Sequence, residues 1–155
     1  MVTTGDNCTY TTDISHVSLD ALADLYGSVG FGSAEAYKEE EDLIKVIFGT
    51  GAYGFFAFTA NDQRLVGMAR ALSDDRMCSW IAEVCIHPDW QGKGVGSRLL
   101  DMVVGRLGHT AIYVAAFAGQ TEFFAKHGIK PRAKLVACSR AGQEPPSQEA
   151  EPFTH

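Results

Sequence analysis

Seven consecutive residues, Gln91-Gly92-Lys93-Gly94-Val95-Gly96-Ser97, have the types and spacing of an anion cradle. Glycines at alternate positions allow a tight turn with N–H groups directed inward, and a helix beginning near Val95 adds roughly half a positive charge at its N-terminus. The spacing narrows the ligand. A nucleoside-triphosphate loop needs Gly-Lys followed at once by Ser or Thr, whereas Lys93 is followed by Gly94. A dinucleotide fingerprint needs Gly-x-Gly-x-x-Gly, and here the third glycine, Gly96, arrives one residue early. ATP and NAD are both disfavoured.

Upstream of the cradle stands a carboxylate inside an apolar run. Glu83 lies four residues before His87-Pro88, and a carboxyl buried there would have a raised pKa suited to accepting a proton. The alternative is a solvated or structurally paired glutamate. Cys85 falls on the same strand face by period-two alternation, as does His87, which suggests a covalent route. His87 directly precedes Pro88 and more simply ends the strand, so packing is the expected role of Cys85. His16, His109, His127 and His155 show no metal-ligand spacing, and Cys8, Cys78, Cys85 and Cys138 form no CxxC pair. Neither a metal nor a disulfide is expected.

Periodicity supplies the elements that position these groups. A strand is expected near Thr9 to Ile14, followed by a helix capped by Ser18, with Leu19, Leu22, Leu25 and Tyr26 on one face and a stop at Gly27. Ser33 caps a second helix, with Tyr37, Ile44, Ile47 and Phe48 to one side and Lys38 to Asp42 solvated. Ala52 to Thr59, Arg64 to Leu72 and Met77 to Ile86 form a three-stranded meander. Past the cradle, Val95, Leu99, Leu100, Met102, Val103 and Leu107 form a helical stripe ending at Gly108, and Ala111 to Ala116 follows as a buried strand. Strand, cradle, helix and strand make a βαβ crossover. A short helix from about Gln120 to His127 and a last strand near Ala133 to Cys138 complete the pass. The fold class is α/β, a single domain over 1–140 with a mixed central sheet flanked by helices. Residues 141–155, with three prolines, three glutamates and no large apolar residue before Phe153, read as a mobile tail.

Composition sets outer limits. The chain has 155 residues, 46% of them hydrophobic, enough for one ordinary core. No apolar run approaches the ~18 to 20 residues of a membrane helix, and no secretory leader pattern is present, so a soluble, cytoplasmic protein is expected. A net charge of -6 argues against non-specific nucleic-acid binding and mildly favours cationic substrates such as amines.

The cradle resembles the Gln/Arg-x-x-Gly-x-Gly/Ala signature of the GNAT N-acetyltransferases, with Gln91, Gly94 and Gly96 at the signature positions and His87-Pro88 just upstream. The order of elements is similar over nearly the whole chain. The resemblance implies acetyl-CoA, with Gln91, Gly92, Lys93, Gly94, Val95, Gly96 and Ser97 holding the pyrophosphate and the backbone of Val84 and Ile86 holding the pantetheine. Many members carry a glutamate at the place of Trp80, whereas a subset that includes serotonin-type and small bacterial acetyltransferases has an acid where Glu83 stands; this chain resembles that subset. In the later helix the family usually reads Phe-Tyr-x-x-x-Gly-Phe, with the tyrosine near the sulfur, and this chain reads Phe123-Phe124-Ala125-Lys126-His127-Gly128-Ile129. Phe124 therefore takes the place beside the thioester without an acid. Tyr113, Tyr53 and His127 stand as alternatives for that acid, and the family's frequent asparagine is replaced near Phe117.

The expected function is transfer of an acetyl group from acetyl-CoA to a primary amine. The acceptor is a small aralkylamine, a polyamine or a lysine, and Glu83 takes the proton through water. A non-catalytic acyl-CoA-binding module is the alternative, motivated by Phe124 and the missing asparagine. The glycine-rich loop from Gly27 to Gly32 reads as a lid over the acceptor, and Tyr26, Phe31, Tyr53, Phe55 and Trp80 as candidate pocket walls. Pairing of two copies through an exposed edge strand fits this element order.

Overall fold

The computed structural model describes residues 2–3 and 7–145. Among these residues six strands form one sheet in sequence order: β1 (Val2–Thr3), β2 (Cys8–Thr11), β3 (Ala52–Thr59), β4 (Leu65–Ser73), β5 (Cys78–Ile86) and β6 (Ala111–Val114). Neighbours run antiparallel from β1 to β5, and β5 pairs parallel with β6. Parallel pairing needs a crossover, which is α4 (Val95–Leu107). The meander and the βαβ unit match the sequence reading, and the sheet is mixed as expected. β1 has no counterpart in that reading.

Each face of the sheet carries its own core. On one face α4 buries Val95, Leu99, Leu100, Val103 and Leu107 against Phe55, Val66, Ala69 and Ile81. Each such side chain contributes about 1.5–3 kcal/mol by leaving water. On the other face α1 (Leu19–Ser28) buries Leu22, Leu25 and Tyr26 against Phe56, Met68 and Cys85. Ser18 caps α1 by accepting from the Ala21 N–H at 3.1 Å. The helix passes through Gly27 and ends at Ser28, with Gly30 supplying the positive φ of +80° just beyond.

Four expectations are corrected. The second helix is two short ones, α2 (Ala34–Lys38) and α3 (Leu43–Ile47), because the like charges of Glu39 to Asp42 fall on a turn that projects into solvent. β6 stops at Val114 and is an edge strand with Ala111 and Tyr113 exposed, where a buried strand to Ala116 was expected. The stretch expected as a last strand, Ala133 to Cys138, has no strand pairing and is exposed throughout, because β-prone residues form a strand only against a partner. The expected first strand ends at Thr11, after which Asp13 caps a 3-10 turn over Ile14–His16 by accepting from Ser15 N–H. α5 spans Thr121–Ala125, inside the expected range. Residues 141–145 are exposed and irregular, and the rest of the expected tail lies outside the described residues.

Candidate active site

The site is built where β5 and β6 part. Their pairing runs from Cys78↔Ala111 to Ile81↔Val114, after which β5 continues to Ile86 with no partner on that side among the described residues. Directly after the last pair, β5 carries a bulge. Arg70 faces Glu83 and Ala71 faces Ile81, so Ala82 is the extra residue. The bulge bends the strand away from β6 and shifts its alternation. Ile81 and Val84, three apart, both serve the α4 face, while Glu83 and Cys85 turn toward α1.

The gap holds a cavity of about 670 Å³. Glu83, Val84, Ile86, Gln91, Gly92, Gly94, Gly96, Ser97 and Phe124 line it, and so do Val29 and Phe31 from the loop after α1. Two other sequence candidates do not. Val95 is buried in the α4 core, and the Lys93 ammonium sits 5.0 Å above the Trp90 ring. Trp90, Phe117, Gln120 and Phe123 also line the cavity and were not anticipated, since no spacing rule links them to the cradle.

The three glycines divide their work. Gly92 and Gly94 have φ of +73° and +86°, and a Cβ on either would meet nothing within 4 Å, so both face open space. Gly96 instead permits close packing, because a Cβ there would lie 3.1 Å from the Phe123 ring. Gly94 is the N-cap of α4 and offers no side-chain acceptor, which leaves first-turn N–H groups free for a ligand. Gln91 fixes the loop onto the sheet by donating from Nε2 to the Ile86 carbonyl at 3.0 Å. Open glycines, uncapped N–H groups and a helix N-terminus together fit a phosphate-bearing group.

Glu83 is paired. Arg70 donates from Nε and Nη2 to its two carboxylate oxygens, each at 2.6 Å, and from Nη1 to the Ile47 carbonyl at 3.3 Å. Both side chains keep slight exposure, 16% for Arg70 and 21% for Glu83. The hydrogen bonds it donates to Glu83, ahead of the opposing cost of burial, raise the Arg70 pKa above its ordinary value. A fork of this kind occupies one lone pair on each oxygen and leaves the other available. No local pattern signals it, because the partners are thirteen residues apart and meet only through the bulged register.

Two neighbouring groups, Cys85 and Tyr26, stay protonated at neutral pH. Burial, followed by the Glu83 charge, pushes the Cys85 thiol up to about 12, and burial likewise pushes the Tyr26 hydroxyl above its ordinary value. Arg64 Nη2 donates to His87 Nε2 at 2.8 Å, holding that ring at the strand end. None of the three alternative acids lines the cavity. Tyr53 lies under the Arg106 guanidinium at 4.9 Å, His127 bonds Asp101 at 3.0 Å and Tyr113 projects from β6. The described residues contain no cluster of three or more His, Cys, Asp or Glu able to hold a metal ion, and no described helix is long and apolar enough to cross a membrane.

This arrangement agrees with comparison to known proteins. The model of the acetyltransferase (GNAT) family matches residues 19–129, so the chain belongs to the GNAT family. It is 34% identical over 115 residues to an uncharacterized N-acetyltransferase ycf52 of Gracilaria tenuistipitata var. liui, covering 73% of this chain and 62% of that protein. The counterpart from Porphyra purpurea is 31% identical over 100 residues, covering 63% of this chain and 55% of the relative. The matched part thus spans somewhat over half the length of these relatives. Among solved structures, an acetyltransferase described as putative from Deinococcus radiodurans superposes with a TM-score of 0.65 at 21% identity, over 86% of this chain and 89% of that one, which establishes the fold.

Proposed function

We propose that the protein is an N-acetyltransferase that moves an acetyl group from acetyl-CoA to a primary amine. The observation that carries this is the parting of β5 and β6 beside an open glycine loop at a helix N-terminus. Gln91 to Ser97 would hold the pyrophosphate through backbone N–H groups, Val84 and Ile86 would flank the pantetheine, and Phe124 would pack beside the thioester end. Val95 contributes its N–H and Lys93 charge at the loop, while their side chains stay with the core and Trp90. Acetyl-CoA supplies the activated carbonyl.

The chain's own residues handle the proton. An alkylammonium holds its proton until about pH 10.4, so the nucleophile needs a nearby acceptor. Glu83 is the acidic residue of the cavity wall, and its free lone pairs receive the proton through water while Arg70 fixes its orientation. A leaving thiolate, with a pKa of about 8.5, departs without a side-chain acid. That agrees with Phe124 at the usual tyrosine position. The acceptor enters from the side of Val29 and Phe31, and a small aralkylamine, a polyamine or a lysine side chain fits the single carboxylate and apolar walls. Residues 1–140 are proposed as the catalytic domain, acting in the cytoplasm.

Glu83→Gln tests the reading. A large fall in kcat with unchanged acetyl-CoA affinity supports the base, and an unchanged kcat removes it. The Arg70 fork on Glu83 favours a second reading, an acyl-CoA-binding module without turnover. That reading predicts acetyl-CoA binding with no amine-dependent thiol release.

A further inference from the structure

The sheet face that packs against α1 is only half covered. Over β3 and β4, α1 to α3 bury Phe56, Phe58 and Met68. Nearer β6 the same face is bare among the described residues. Strand alternation puts Leu72 of β4, Cys78 and Trp80 of β5, and Ala111 and Tyr113 of β6 on it, because Ala71, Ile81, Ile112 and Val114 turn to the α4 core. All five are exposed. Leu72 pairs with Trp80 and Trp80 with Tyr113, so three large side chains, 44%, 46% and 43% exposed, stand in a row on strands about 4.8 Å apart.

This row borders the ion pair of the candidate active site. Arg70 lies two residues before Leu72 on β4, and Glu83 follows Trp80 across the bulge on β5, so the Arg70–Glu83 fork is the next row on the same face. Glu83 also lines the cavity, whereas Leu72, Trp80 and Tyr113 do not. Shape decides what such a surface binds. Small amines are held in concave sites that bury about 70–90% of the ligand. A flat row of half-exposed side chains covers one side of its partner only, which suits a polypeptide, and Trp and Tyr are the residues that anchor such contacts. Charge agrees. The row holds no charged group, Glu83 borders it, and the chain carries a net charge of -6, so a basic polypeptide is attracted.

We propose that the Leu72–Trp80–Tyr113 row docks a polypeptide carrying the lysine to be acetylated. Apolar residues beside that lysine rest on Trp80, and the amine reaches Glu83. The lysine Nζ bonds to the acetyl carbonyl carbon, the thioester C–S bond breaks, coenzyme A leaves as thiolate, and a proton from Nζ passes through water to Glu83. The inference rests on the transferase reading and selects one acceptor class from those it allows.

Trp80→Ala in the full chain tests it, with short peptides that place Leu or Phe beside a central lysine and with butylamine as a small acceptor. Trp80 is half exposed, so Tm and the acetyl-CoA Kd should not change. With the peptides kcat/KM should fall about tenfold or more, through KM, while with butylamine it changes by less than about twofold. Trp80→Phe should restore most of the peptide rate. Release with butylamine but with no peptide, or an equal loss with both acceptors, overturns the docking surface and leaves the transferase standing. Release with no acceptor removes the transferase, and docking is then judged by anisotropy of a labelled peptide titrated with the chain and coenzyme A. Binding about tenfold weaker to Trp80→Ala than to the unaltered chain is expected there, and equal binding or none overturns the docking surface. Sedimentation velocity should give both chains the same oligomeric state. A dimer that Trp80→Ala dissociates would assign the row to a second copy and overturn the proposal.

Discussion

The two ends of the β5–β6 pair are built in opposite ways. At the closed end, where both strands begin, cross-links accumulate. The Asp75 carboxylate accepts from Arg106 at 2.7 and 2.9 Å, and its backbone carbonyl lies 3.0 Å from His109 Nε2. Ser79 and Thr110 share a buried hydroxyl contact at 2.6 Å, and Ala111 N–H donates to the Met77 carbonyl at 2.9 Å. At the open end the strands separate after Ile81, a bulge turns β5 away, and the chain continues into glycines with positive φ. The cross-links fix the angle between the strands, so the opening is held by the fold before any ligand arrives. Cross-links gather at one end and the open cleft lies at the other.

This contrast can be broken at either end. The largest effect belongs to Glu83→Gln, which is expected to lower kcat by about 10²- to 10⁴-fold, with the acetyl-CoA Kd by calorimetry unchanged. Next is the cradle. Gly94→Val forces a branched side chain into a left-handed backbone at about 1–2 kcal/mol. Acetyl-CoA affinity should then fall about tenfold or more, read by the same titration.

Asp75→Asn acts only at the closed end, so it should lower Tm while leaving acetyl-CoA affinity unchanged. Its pH dependence has a definite sign. The Arg106 hydrogen bonds, ahead of the opposing effect of burial, hold the Asp75 carboxyl at about 2, below its ordinary 3.8. The stabilisation is therefore full above about pH 4 and disappears as pH falls toward 2. The Tm gap between the unaltered chain and Asp75→Asn should close over that window, and a gap that persists at pH 2 would contradict the assignment. Cys85→Ala is the smallest. It removes a buried group with a thiol pushed up to about 12, so it should cost about 1 kcal/mol in urea unfolding and change the rate by less than about twofold. A much larger rate loss would reinstate the covalent route.

Legibility in the sequence divides along the same line. α4 and the cradle were readable because a 3.6-residue stripe, a glycine run and a closing Gly108 are local signals. The meander was readable from alternation and its polar turns. What escaped depends on pairing across distance. The bulge at Ala82 and the Arg70–Glu83 fork arise from the register of two strands, which no single run encodes. Lys93 has the charge of a phosphate ligand, yet Trp90, three residues earlier, takes up its ammonium. Ala133 to Cys138 has strand propensity but no strand partner among the described residues, and propensity alone does not make a strand.

The most direct test of the central claim is thiol release from acetyl-CoA by the full chain, measured with and without arylalkylamines, polyamines and lysine peptides. Release that depends on one class of amine is the predicted result. Release no greater with any amine than without would contradict the assignment of this cleft to acetyl transfer.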